Sequence, residues 1–372
     1  MFVELHIIQN FAPSNLNRDD TNNPKDAEFG GVRRARISSQ CIKRSIRTAP
    51  VFAQTTGVDT AIRTRWIARL IQQDLLAHGV AQEAANRVAL AFAEAYSGKI
   101  EKPGNTSVLI YLSREEIAYI VDELLAHWDE IAQGDSSKMP DTVVKDMVKA
   151  TKNRTSAPDI ALFGRMLADK PELNLDAACQ VAHAISTHRV SMDMDFFTAV
   201  DDLQQAAEPG AGMMGHTGFN SATFYRYARI DWRQLVRNLN DDGDLALRTV
   251  EGFLHAAVVA IPTGKQNTFA AQNPPSFLLG VVRHDGMCWS LVNAFERPVY
   301  PGRDSGLVRP SILALDGYWG DLVRAFGGAF ASAAVLNLEH DLELPHLAGF
   351  AVPDLKTWVG QLLAPLAQEL TQ

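Results

Sequence analysis

Cysteine is scarce in this chain. Its 372 residues include three, Cys41, Cys179 and Cys288, with no CxxC spacing among them. So few and so scattered, they exclude a disulfide framework and give a zinc site no ligand pattern. Basic charge is also in deficit: 35 Lys and Arg stand against 43 Asp and Glu, for a net charge of −8. A protein that coats nucleic acid over its whole surface is usually basic throughout, so any such contact here must be local. Screening over about 8–10 Å makes a local patch count for more than the total. Long apolar runs are missing too. The stretches at 253–261 and 325–338 are too short to span a bilayer, and MFVELHIIQN carries Glu4 where a signal peptide needs a basic start and an apolar core. The expected setting is a reducing cytoplasm, with no membrane partner. GxSxG, HExxH and a GxGxxG opening a helix after a strand are all absent. In IPTGKQNT, Val259 stands where a phosphate loop needs its first glycine, and no Ser or Thr follows Lys265. There are no internal repeats, low-complexity tracts or coiled-coil heptads. No cofactor and no metal are expected.

What is present is a globular composition, 47% hydrophobic and 21% charged, large enough for a substantial core. Within it lies one segment of opposite charge. Residues 33–47, RRARISSQCIKRSIR, hold six basic residues and no acidic one. At about 100° per residue, Gln40, Lys43, Arg44 and Arg47 fall within one arc of a helix, with Cys41, Ile42, Ser45, Ile46 and Ala49 opposite. Ser38 or Ser39 sits where an N-cap hydroxyl belongs, which places backbone N–H groups beside the cations. Such a face suits a run of phosphates; the alternative is a solvated basic face that binds nothing.

Upstream, Val3, Leu5 and Ile7 alternate with Glu4 and His6 at the period of a half-buried strand. From about Ala61 the pattern turns helical. Ser113 and Glu116 form a capping box ahead of the stripe Ile117, Ile120, Val121, Leu124. A second amphipathic helix is predicted to open at Pro140, with Lys145, Lys149 and Lys152 on one face. After His188, the segment DMDFFTAVDD leads to a glycine-rich tip, PGAGMMGHTG, and FNSATFYRYARI returns as a strand. A helix at 245–259 and a strand at 278–283 follow. The reading is α+β: a discontinuous sheet domain with a helical insertion, 59–180, and a long hairpin, 189–223.

Catalytic candidates are few. His183 and His188 are expected on a helix that leads into an exposed strand; there they diverge by about 140° and could not share a metal as an i, i+4 pair can. Asp193 and Asp195 alternate with Met192 and Met194 as the polar face of a strand. An endoribonuclease would have to draw on His6, His183, His188, Asp19 and Asp20, and a metal-dependent hydrolase on His188, Asp193 and Asp195. Binding signals are better. Phe224, Tyr225, Arg226, Tyr227 and Arg229 interleave rings and guanidinium groups, a mixture that can stack bases and hold phosphate, though core packing explains half of the rings. Phe196 and Phe197 are adjacent in a polar segment, so one of them would face outward from a strand. Met166 in FGRM reads as an ordinary core methionine.

Several segments carry a resemblance: NLNRDDTNNPKDAEFGGVRRARISSQCIKR, DIALFGRM, AHAISTHRV, DFFTAVDDL, FYRYA and NAFE. Together they resemble the backbone subunit of type I-E CRISPR Cascade complexes, the CasC/Cse4 family of the RAMP superfamily. The likeness is strongest in the first 50 residues and in 159–231. It implies an RRM-like (ferredoxin-like) palm from 1–58 and 181–372, helical fingers at 59–180 and a thumb hairpin at 189–223. It further implies a non-catalytic scaffold for antiviral defence. Copies would polymerise head-to-tail along CRISPR RNA as a helical filament, with other Cascade subunits as partners and the target DNA strand reached through guide pairing. Arg18, Lys25, Ser38, Gln40, Lys43, Arg44 and Arg47 would line the guide backbone. Phe197, beside Phe196, would wedge a nucleotide out of the stack, and Met166 would pack on bases. Phe196 stands where relatives carry tryptophan. Lys138, Lys145, Lys149 and Lys152 would meet target DNA.

Overall fold

In the computed structural model, residues 1–97, 100–101, 104–133, 144–146, 155–167, 171–199, 213–303 and 305–371 are described. Lys138, Lys149, Lys152, the predicted helix start at Pro140 and the glycine-rich part of the hairpin tip lie outside them. The chain divides into two units, one formed by 1–52, 181–229 and 253–372, the other by 53–180 and 230–252.

The first unit is built on a nine-stranded sheet. The opening strand, Phe2–Ser14, pairs antiparallel with Phe277–Arg283, which pairs in turn with Ser332–Asn337. On its other side lies the long strand Met213–Asp231, followed by Ala184–Ser186, Val32–Ile37 and Asp26–Phe29. The opening strand is buried on both faces, so Glu4 and His6 are fully enclosed rather than half exposed. Period-two alternation marks one wet face only when nothing covers it. Here Glu4 is held by the Arg283 guanidinium and by Trp289 N–H at 3.0 Å. The His6 ring meets the Tyr225 hydroxyl at 2.9 Å.

The second unit is mainly helical. Ile67–Ala77, Gln82–Ser97 and Arg114–Ala126 bury Ile71, Leu75, Phe92, Ile120 and Leu124 against one another. The predicted capping box forms, with Glu116 N–H on Ser113 Oγ at 2.9 Å and Ser113 N–H on Glu116 Oε2 at 2.7 Å. Among the described residues, no helix is long and apolar enough to cross a membrane.

Candidate nucleic-acid interface

Residues 39–47 form the expected helix, Ser39–Arg47, with no acidic residue in its first turn. Ser38 is its N-cap: the hydroxyl accepts from Cys41 N–H at 3.3 Å, as an unpaired first-turn donor requires. Ile42 and Ile46 are buried, which turns Gln40 and Arg44 outward and leaves Lys43 and Arg47 half-buried on the flanks. The first half of the basic run is a different matter. Arg34 is fully buried and donates to Phe29 O, Ser186 O and Phe295 O at 3.1, 3.1 and 2.7 Å. Arg33 pairs with Asp26 at 2.9 Å. Arg36 donates to Asp26 O and to His183 Nδ1, at 2.9 and 3.1 Å. Arg34 thus serves the fold, and within 39–47 it is the helix that presents cations to solvent, Arg44 most openly.

One loop, residues 15–25, joins this helix to the hairpin. Asn17 Oδ1 accepts the Ser38 N–H at 2.8 Å, and Asn17 O accepts the Lys25 N–H at 2.9 Å. Asn15 Nδ2 donates to Gly218 O, in the hairpin stem, at 2.9 Å. Arg18 lies at the loop's exposed end, fixed by Asn22 Oδ1 at 2.8 Å. Asp19 is used within the loop, where its Oδ1 accepts from Thr21 N–H, Thr21 Oγ and Asn23 N–H. The Thr21 hydroxyl leads the causes that hold this carboxyl below its ordinary range. Arg18 and Arg44 line the same open cleft of about 420 Å³, with Asp20 and Thr263. Burial followed by the Arg36 and Lys25 charges pulls the His183 imidazole below its usual value.

The hairpin pairs Asp193–Ala199 with the start of Met213–Asp231, with Phe197 opposite Gly215 and Phe196 opposite His216. Both rings are exposed, Phe196 by 55% and Phe197 by 39%. The Phe197 ring reaches over Gly215, where a Cβ would stand 2.5 Å from its Cζ. Phe196 tilts against His216 with ring centroids 5.1 Å apart.

In the helical unit, Met166 is 84% exposed, so it is not core. Gly164, at φ +76°, turns the chain into a backbone bridge between Arg165 and Leu175. Arg165 points inward to Glu116 Oε1 at 2.6 Å, and the next side chain is therefore directed out. Lys145 is exposed.

Three readings of the sequence need correction. His183 lies between two short strands and His188 just past the second, rather than on a helix, because Ala184–Ser186 pairs with the long strand. His188 is buried, with Nδ1 on Arg189 O and Nε2 on Thr223 N–H, so neither nitrogen is available to chemistry. Phe224, Tyr225 and Arg226 are core, and the Arg226 guanidinium, pulled down to about 10 by burial, holds Gln9 and Ala257 O. Among the described residues no cluster of three or more His, Cys, Asp or Glu could hold a metal. Sequence reasoning also passed over Asn15 and Asn17, whose amides are ordinary loop residues until their partners are known.

The family model described as CT1975-like protein matches residues 3–357. The chain belongs to the CT1975-like family. Among solved structures, this CT1975-like chain is similar to a chain of "CRISPR RNA-guided surveillance complex, pre-nicking", at 31% identity and a TM-score of 0.88, covering 98% of this chain and 100% of that one. It is also similar to a chain of "CRISPR RNA-guided surveillance complex", at 27% identity and a TM-score of 0.74, again covering 98% and 100%. No curated protein sequence matches it.

Proposed function

We propose that this chain is a non-catalytic RNA-binding scaffold, the backbone subunit of a type I-E Cascade surveillance complex. Several copies polymerise head-to-tail along one CRISPR RNA. In this reading the sheet unit is an RRM-like palm, the helical insertion is the fingers and the hairpin is the thumb. Arg18, Lys25, Ser38, Gln40, Lys43, Arg44 and Arg47 hold the guide by its phosphates and leave base edges free to pair with target DNA. Phe197, beside Phe196, displaces a nucleotide at intervals, at a cost of a few kcal/mol of stacking, and Met166 packs on the bases at the displaced position. Lys145, with Lys138, Lys149 and Lys152, meets target DNA.

The observation that carries this reading is the loop 15–25. It binds the N-cap of a helix bearing Gln40 and Arg44 and the stem of a hairpin bearing two exposed rings. The full-length likeness to chains of CRISPR RNA-guided surveillance complexes agrees with it. The non-catalytic part is supported by how the candidate groups are engaged: His6 is enclosed, His188 is bonded at both nitrogens and Asp19 is spent on its own loop. The test is the salt dependence of RNA binding. Replacing Lys43, Arg44 and Arg47 together with Ala should flatten the slope of log affinity against log salt by about 0.7 per lost contact to single-stranded RNA. An unchanged slope would refute the assignment of this face.

A further inference from the structure

Methionine is placed unusually in this protein. Among methionines whose side chains are described, only Met1 is buried, while Met166, Met192, Met194, Met214 and Met287 are all exposed. Methionine normally fills irregular gaps in cores or serves adaptable contact surfaces, and only the second use fits here. Three of the five lie on the hairpin, and the strand register puts them on one face. Directly opposed residues of an antiparallel pair share a face, and so do residues two apart. Met214 is opposite Thr198 and His216 is opposite Phe196. Met192, Met194, Phe196 and Thr198 alternate along one strand, so Met192, Met194, Phe196 and Met214 form a single stripe. Their exposures are 38, 56, 55 and 67%. The polar side chains Asp193 and Asp195 fall on the other face.

We propose that this stripe, continuous with Phe196, contacts the bound RNA and is oxidation-sensitive, with the Met192, Met194 and Met214 thioethers as its modification sites. The inference rests on the scaffold reading, in which the hairpin bearing this stripe displaces a guide nucleotide. The reagent class is a peroxide. The thioether sulfur attacks one oxygen of hydrogen peroxide, the O–O bond breaks, and the sulfur loses two electrons and keeps that oxygen as a sulfoxide. The proton that oxygen carried passes to the departing hydroxide, which leaves as water. The product is polar and chiral where a soft apolar group stood, which disrupts methionine-rich interfaces, and a reductase can reverse it. The cysteines compete poorly for the oxidant. Cys179 is buried, and burial raises the thiols of Cys41 and Cys288, the latter to about 11, which suppresses the reactive thiolate.

The test uses the full chain and a fluorescent single-stranded RNA, before and after mild hydrogen peroxide, with sulfoxides located by peptide mass spectrometry. In the wild type, oxidation at Met192, Met194 and Met214 should weaken RNA affinity by about tenfold or more. The variant Met192→Leu, Met194→Leu, Met214→Leu preserves volume and lacks the reactive sulfur, so its affinity, whatever its starting value, should be the same before and after peroxide. Met287→Leu should stay as sensitive as the wild type. Bound RNA should protect the three hairpin sites and leave Met287 reactive. Retained affinity despite full hairpin oxidation, or equal sensitivity in the triple variant, would overturn the proposal while leaving the scaffold reading intact. An untreated wild type that bound no RNA would overturn the scaffold reading and this consequence with it.

Discussion

At the residue scale, the most informative side chains are buried charges and their partners. Burial lowers the His6 imidazole to about 3, and its Nδ1 shares a hydrogen bond with the Tyr225 hydroxyl, which also accepts the Leu291 N–H. The unfolded chain binds a proton at this histidine below about 6.5 and the folded chain does not, so stability is complete above 6.5 and falls as pH drops from there toward 3. The loss approaches about 1.4 kcal/mol per pH unit for one such histidine. His183 and His188, also lowered, act in the same direction, whereas burial raises Glu4 and Asp316, and these offset part of it at more acidic pH. Denaturant midpoints at pH 7 and 5.5 check this, and His6→Asn should show a shallower difference than the wild type. A second case is Glu116, which caps its helix and neutralises Arg165 in the interior. Glu116→Ala would strand that guanidinium at a cost of about 3–5 kcal/mol. The pair Glu116→Leu, Arg165→Met should recover most of the loss in the same melts. Only the first role can be read locally: Glu116 shows its cap through Ser113, three residues away, and conceals the ion pair made 49 positions later.

At the element scale, legibility follows how far an element's partners lie along the chain. The helix Ser39–Arg47 is readable because ten contiguous residues, Ser38–Arg47, carry its cap and its apolar and basic faces. The strands around His183 were misread as helix because a three-residue strand has no period of its own; its pairing with Phe224 and Tyr225 creates it. The same distance effect hid the fate of Arg34, whose carbonyl partners come from three separate segments. On the hairpin, the period of two was visible, but thioethers suit a core and a contact surface equally until exposure is known. Here a backbone substitution gives the sharpest test. Gly215→Ala would push its Cβ into the Phe197 ring, and that ring, already partly in solvent, can swing away. Thermal stability should change by less than about 1 kcal/mol while RNA affinity falls. Parallel thermal melts and fluorescence anisotropy would show this, and an affinity equal to the wild type would mean that the ring's placement over Gly215 is irrelevant to binding.

At the scale of the whole molecule, a scaffold differs from an ordinary RNA-binding protein in stoichiometry. Light scattering during size exclusion, with RNAs of increasing length, should show mass rising in steps of one protein for each fixed increment of RNA. A single protein per RNA at every length would contradict polymerisation. A heterologous interface that does not close on itself produces such open filaments. The way the sheet is strung has a further consequence, and it concerns synthesis. The first strand made, Phe2–Ser14, must wait for Phe277–Arg283 before one of its edges is covered, and that strand waits again for Ser332–Asn337. At roughly 5–20 residues per second, the wait for the first of these partners alone is about 14–55 s. Through that interval an apolar segment holding Val3, Leu5, Ile7, Ile8 and Phe11 leaves the ribosome with an open edge, a state in which nascent chains on one polysome can pair with each other. Yield of this protein in cells should therefore depend on ribosome-associated chaperones and on translation speed more steeply than its equilibrium stability would suggest.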